Sequence, residues 1–223
     1  PDEAVIYLRP SIRNLDGEPK QLQFWINAML SPGRHGIGPS LRFYYPTAQV
    51  LVHSRGDPSL PGANSLMPWP LVEGRDLSHY ANWRDWLGFF ALDLQAPYTA
   101  IYDEEAQLGL VRAFPPALAR GAKLFAFGLG FGDNAAYSDD GAQYAEMWGG
   151  WTSSFWEYGS LAPYGELAWE EAWYPISRCG GVMQATAEVA LYARREAEGA
   201  RITVAAPRER RWTLSVTQGE QEL

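Results

Sequence analysis

At 223 residues the chain has room for one large all-β domain or at most two small ones. Its formal net charge of −8, with no basic stripe, argues against nucleic acid and anionic membrane surfaces as partners. No apolar run is long enough for a membrane helix, and the single cysteine, Cys179, leaves no intrachain disulfide or cysteine-based zinc site. A lone thiol fits a cytoplasmic location, with export left open. The aromatic fraction is 14% with 10 Trp, a surplus that often lines ligand surfaces but also serves cross-strand packing.

In chain order, the sequence opens at Pro1 without Met and without a signal-peptide pattern, and enters a strand-like run at Ala4–Leu8. That start suggests a piece of a longer protein. Residues 21–27 alternate, with Leu22, Phe24 and Ile26 on one face and Gln21, Gln23, Trp25 and Asn27 on the other. A strand with an apolar back and a polar-aromatic front suits a sandwich with a binding face. The next strand is expected at 48–53. The stretch from Ser54 to Asp76 then carries four prolines and three glycines with little periodicity, and reads as a long loop of functional or merely superficial role. Within it, Arg55-Gly56-Asp57 reads as a turn. Strands are expected at 86–93, 97–102, 107–113, 122–128, 142–148 and 166–173, with a turn at Gly128–Gly132. Residues 182–193 alternate and are read as a strand, although 188–197 also has helical composition. Finally, 200–205 and 211–217 read as a hairpin.

The densest chemical constellation runs from Gln143 to Tyr174 and holds five of the ten Trp. On a strand at 142–148, Tyr144, Glu146 and Trp148 share one face. A carboxylate flanked by aromatics offers a pyranose a flat surface for its C–H side and an acceptor for its hydroxyls. The alternative is a Glu paired with an Arg at a sheet edge. Trp151, Glu157, Glu170 and Glu171 extend the stretch, and paired carboxylates are the apparatus of glycoside hydrolysis. His53 ends an apolar strand, where a side chain can reach a strand-end site, although a structural histidine is the plainer reading. His79 lies in a polar-aromatic run with Trp83 and Arg84 that could line a groove beside Glu146 or simply cap the sandwich. Arg55 and Arg84 offer planar donor forks for paired oxygens. No HxH or HExxH spacing occurs, so no transition-metal site is expected, and no cofactor motif is present; an oxygen-bound divalent ion stays open. Arginine outnumbers lysine heavily, Lys20 and Lys123 being the only lysines, and this reads as composition rather than mechanism.

The runs Phe24–Ala28, Tyr45–His53, Tyr144-Ala145-Glu146 and Trp169–Pro175 together resemble a bacterial domain family of unknown function in the galactose-mutarotase-like (aldose 1-epimerase-like) superfamily. The likeness spans roughly residues 1–195. It implies an antiparallel β-supersandwich with a sugar site on its concave face, here lacking an N-terminal part. It also implies that Glu146 stands where mutarotases keep a general base. Asn27 resembles the residue preceding one mutarotase His, but Ala28 follows it, and the other His would lie before Pro1.

The expected function is therefore a carbohydrate-binding domain spanning 1–223. Trp25, Asn27, Arg55, Trp83, Arg84, Tyr144, Trp148, Trp151 and Glu170 are its candidate contacts. One alternative is an epimerase-type isomerase, or a related lyase or hydrolase, with Glu146 as base and His53 or His79 as acid. The other is a structural domain packing on a neighbouring domain, a second copy or a missing N-terminal segment through its aromatic face.

Overall fold

The computed structural model describes residues 3–33, 35–215, 217, 218, 221 and 222. Nearly all of its regular structure is antiparallel strand. Two sheets stack face to face. One has five strands in the order Ile6–Leu8, Glu171–Ser177, Leu108–Ala113, Tyr98–Asp103, Leu41–Tyr44. The other has six, in the order Trp25–Leu30, Ala145–Gly150, Gly121–Ala126, Leu87–Ala91, Gln49–Arg55, Leu66–Pro68.

Period-two alternation decides what each sheet buries. Val50, Val52, Phe89, Leu124 and Met147 of the six-stranded sheet meet Leu41, Phe43, Ile101 and Trp173 of the five-stranded sheet in the main core. Each such large side chain contributes about 1.5–3 kcal/mol by leaving water. The opposite face of the five-stranded sheet is buried as well. Tyr98, Ala100, Tyr102, Val111, Tyr174 and Ile176 pack there with Cys179, Val182, Ala185 and Ala190. The last two belong to a three-stranded sheet of Gln184–Ala185, Ala190–Glu196 and Gly199–Ala205. Burial on both faces explains why Tyr98–Asp103 has no exposed position. Among the described residues no third sheet covers the outward face of the six-stranded sheet, and the candidate site lies there.

A fully buried ion pair fastens the two sheets. Arg112 and Glu171 are both 0% exposed and form two parallel hydrogen bonds of 2.7 Å each. Glu171 also accepts the indole N–H groups of Trp169 (2.8 Å) and Trp173 (3.1 Å). Burial pushes the Glu171 carboxyl up, but these hydrogen bonds and the Arg112 charge outweigh it and hold the group below its ordinary range. The guanidinium also donates to the Trp148 carbonyl of the opposing sheet. It can approach because Gly149 has no side chain, since a Cβ there would lie 2.2 Å from an Arg112 nitrogen. Gly150 points the other way and makes room for the Trp25 ring. The two glycines of the Trp148–Trp151 run thus serve opposite faces.

Several expected elements differ. The strand expected at 21–27 is divided: Lys20–Leu22 pairs with Gly159–Leu161, and a separate strand runs Trp25–Leu30. At the break, the Gln23 side chain donates to the carbonyls of Phe155 (2.6 Å) and Glu157 (2.8 Å). The 166–173 strand is likewise split into Glu166–Ala168 and Glu171–Ser177. The stretch from Ser54 to Asp76 has structure of its own: Leu66–Pro68 is an edge strand, and Leu71–Val72 pairs with Arg75–Asp76. The tripeptide at 55–57 turns inward, with Asp57 buried against Arg75 at 2.6 Å. The expected hairpin of 200–205 with 211–217 does not form. Gly199–Ala205 pairs with Ala190–Glu196 instead, and residues 211–215 carry no strand, while Val216 lies outside the described residues. Among the described residues no helix is long and apolar enough to cross a membrane.

Candidate functional site

Strand register lays out the uncovered face as two rows of neighbouring side chains. One row runs Met29, Glu146, Phe125, Gly88, Ser54; the next runs Asn27, Trp148, Lys123, Phe90, Leu51. Between Gly88 and Phe89 the pairing slips by one residue, which leaves His53 unpaired as a β-bulge. A bulge interrupts alternation and re-aims side chains. Val52 therefore enters the core, while both His53 and Ser54 serve the outer face. The His53 ring packs on Phe90 (5.6 Å), Phe155 (5.3 Å) and Trp156 (6.0 Å), and its Nδ1 lies 3.1 Å from the Ser54 Oγ.

Glu146 accepts the indole N–H of Trp148 at 2.8 Å, and the Lys123 ammonium lies 3.8 Å from the same oxygen. Lys123 is 2% exposed. Its Nζ sits 4.5 Å from the Trp148 ring centre and 5.5 Å from those of Phe125 and Phe155. Burial pulls the Lys123 ammonium down to about 8, partly opposed by the charge and hydrogen bond of Glu146. Burial, and secondarily the Lys123 charge, also hold the His53 imidazole below its ordinary range, which favours the neutral ring. Phe155 closes this aromatic box from a loop that Gln23 pins, and whose Glu157 carboxylate accepts from Arg120 and Ser153.

Beside the box, on the other flank of Phe125, an open cleft of about 410 Å³ is lined by Ser54, Trp86, Phe125, Phe127, Phe131, Asp133 and Tyr137. Two of its ring pairs meet nearly at right angles, Trp86 with Phe131 at 88° and Phe125 with Phe127 at 83°, while Phe127 and Phe131 lie closer to parallel at 32°. Tyr144 packs edge-on against Phe127 at 4.9 Å, and burial together with the nearby Glu146 charge raises its hydroxyl. Glu146 thus stands between the closed box and the open cleft. Gly88 lets Ser54, Phe125 and His53 pack close over its backbone, since a Cβ there would meet all three within 3.3 Å.

The structure sets Glu146, Trp148, Tyr144, Trp25 and His53 on one face of the six-stranded sheet, with the exposed Asn27 next to Trp148. It does not bring His79 to them. That residue bridges to Arg42 of the other sheet and lies 3.6 Å from Asp76. Trp83 is 2% exposed in the core against Phe43, with its N–H donated to the Leu77 carbonyl. Trp151 packs on the main core and on Gly159. Arg55 donates to the Pro61 carbonyl, Arg84 is exposed, and Glu170 is exposed and paired with Arg9. Of the four carboxylates singled out in 143–174, only Glu146 pairs in register with a cleft-lining residue, Phe125, and it does not itself line the cleft. Among the described residues no three His, Cys, Asp or Glu side chains converge to hold a metal ion.

Lys123, Ser54, Phe125 and the cleft walls Trp86, Phe131, Asp133 and Tyr137 were not legible as site residues. For Lys123 a signal was present: it is one of two lysines in an arginine-rich chain, set in the otherwise apolar strand Gly121–Ala126.

No family model and no curated protein matches the chain. Solved structures do. A TPR-domain-containing protein from Parabacteroides distasonis is 21% identical with a TM-score of 0.63, over 77% of this chain and 28% of that one. A candidate aldose 1-epimerase from Escherichia coli K12 is 11% identical with a TM-score of 0.54, over 78% of this chain and 57% of that one. A galactose mutarotase-like protein from Clostridium acetobutylicum is 12% identical with a TM-score of 0.51, over 77% and 52%. The chain has a galactose-mutarotase-like fold, and it covers less than two thirds of the length of each of these three neighbours.

Proposed function

We propose that the chain is a carbohydrate-binding domain whose site is the aromatic cleft beside Glu146. The observation that carries this reading is the placing of a carboxylate and an open, ring-lined cleft side by side on the uncovered face of the six-stranded sheet. A pyranose laid on Phe125 and Trp86 would stack its C–H face on the rings and present hydroxyls to Glu146, Asp133 and Ser54. The fold, shared with proteins described as aldose 1-epimerase and galactose mutarotase-like, supports a sugar over other small ligands.

A second reading, an isomerase, is favoured by one observation: Lys123, drawn down to about 8, lies 3.8 Å from Glu146, so a proton donor and an acceptor stand together. Against it, three strand spacings separate the backbones of Glu146 and His53, about 14 Å. That distance suits two walls of a binding site better than a direct acid–base pair. Calorimetric titration with hexoses, run beside an assay of anomer exchange, separates the readings. Binding without turnover, abolished by Phe125→Ala and largely kept by Glu146→Gln, supports the binding domain. Anomer exchange that Glu146→Gln abolishes supports the isomerase. Absence of any sugar binding at millimolar concentration would sink both.

A further inference from the structure

The cleft has a charge character that the sugar reading alone does not use. Five of its seven described lining residues are aromatic, and among the described residues Asp133 is its one charged group, with no Lys or Arg in the lining. The cation of the neighbouring row, Lys123, is 2% exposed and committed to Glu146 inside the box under Phe155. The next charge along the row of Phe125 is the Glu146 carboxylate. Aromatic faces carry negative quadrupole potential and attract cations, the more so where water is thinned out. A ligand with a phosphate or carboxylate would meet rings and the Asp133 carboxylate at the cleft's described lining, and the chain's net charge of −8 adds to that repulsion.

Resting on the carbohydrate reading above, we propose that this cleft selects a cationic amino sugar, an aldose bearing a free ammonium, over neutral and anionic sugars. The ammonium lies against the cleft's aromatic rings with Asp133 as its counter-ion, while the pyranose hydroxyls reach Ser54 and Glu146. The polar lining argues for an ammonium with N–H donors rather than a quaternary one, because Asp133 and Ser54 both offer acceptor oxygens that a quaternary nitrogen cannot satisfy.

The test is calorimetry on the wild-type chain and on Asp133→Asn with four probes: glucosamine, glucose, glucose 6-phosphate and tetramethylammonium. It is run at mildly acidic pH, where the amine keeps its proton. Glucosamine should bind about tenfold tighter than glucose, as expected from one cation–ring contact plus a charge-assisted hydrogen bond. Asp133→Asn should erase that preference by weakening glucosamine about tenfold more than glucose, and since Asp133 is exposed its replacement threatens no core. Equal affinity for glucosamine and glucose overturns the cationic selectivity while leaving the sugar reading standing. Tightest binding of the sugar phosphate, or of tetramethylammonium, overturns it too. No binding by any sugar overturns both.

Discussion

Lys123 gives the sharpest energetic test, because the fold holds a cation where burial penalises it. With its ammonium at about 8 in the folded chain against about 10.4 in an unfolded one, the folded state binds fewer protons between those values. Stability contributed by this residue therefore rises as pH climbs through that window and is lowest below it. Linkage puts the penalty at about 3 kcal/mol near pH 7, falling to about 1 kcal/mol near pH 9.5. Lys123→Met keeps the stem in contact with Trp148, Phe125 and Phe155 and removes the charge. Part of the gain is returned, because Glu146 loses its ion pair and keeps the Trp148 donor. We therefore expect the variant to be more stable by about 1–2 kcal/mol near pH 7. That advantage should shrink by about 2 kcal/mol between pH 7 and about pH 9.5. Urea unfolding followed by tryptophan fluorescence measures this, with variant and wild type compared at each pH. The comparison is needed because buried tyrosines such as Tyr80, Tyr98 and Tyr174, whose hydroxyls burial pushes up, weaken both proteins in alkali. A variant less stable at neutral pH, with a difference indifferent to pH, would refute the reasoning, for Lys123 would then be a net stabiliser. A stabilised variant that binds sugar poorly would identify Lys123 as a residue retained for function.

Other consequences follow from the same structure. Glu171→Gln leaves the Arg112 charge buried and unpaired, and should cost about 3–5 kcal/mol in urea unfolding, whereas replacing both partners by apolar residues should cost far less. A loss below about 1 kcal/mol for the single variant would contradict the buried-pair account. Asp57 is held down to about 2 because its hydrogen bonds to Ser59 and its pairing with Arg75 outweigh the upward push of burial. The stability it contributes is complete above its unfolded value of about 3.9 and is lost as pH falls toward 2. Asp57→Asn should therefore flatten that part of an acid-unfolding curve, and an unchanged curve would argue against it. Trp86→Ala, which opens one wall of the cleft, should weaken hexose binding by about tenfold with little change in unfolding midpoint.

The fold was legible because its signal is local. Alternation at Ala145–Trp148 marks that strand and its buried face, Ala145 and Met147, without reference to any neighbour. Glu146 and Trp148 could be placed on one face for the same reason. What could not be read was pairing. Gly199–Ala205 could close a hairpin with either flanking segment, and its partner is chosen by the strand that also covers Tyr98 and Tyr174. The His53 bulge depends on register against Gly88, which no single strand reveals. The cleft likewise draws Ser54, Trp86, Phe125 and Asp133 from four separate segments, so none of them stands out in its own surroundings. Trp83 and Trp86 differ by three positions in one aromatic run, yet one is core and the other lines the cleft.

The central claim, that a sugar occupies the cleft beside Glu146, is tested most directly by following the indole N–H resonances of the ten tryptophans during titration with a hexose. Trp86 lines the cleft and Trp148 donates to Glu146, so their resonances should move saturably and together. Those of Trp83, Trp169 and Trp173, held in the core by the Leu77 carbonyl and by Glu171, should stay in place. Unmoved Trp86 and Trp148 resonances at saturating sugar, or shifts confined to tryptophans away from this face, would contradict the account.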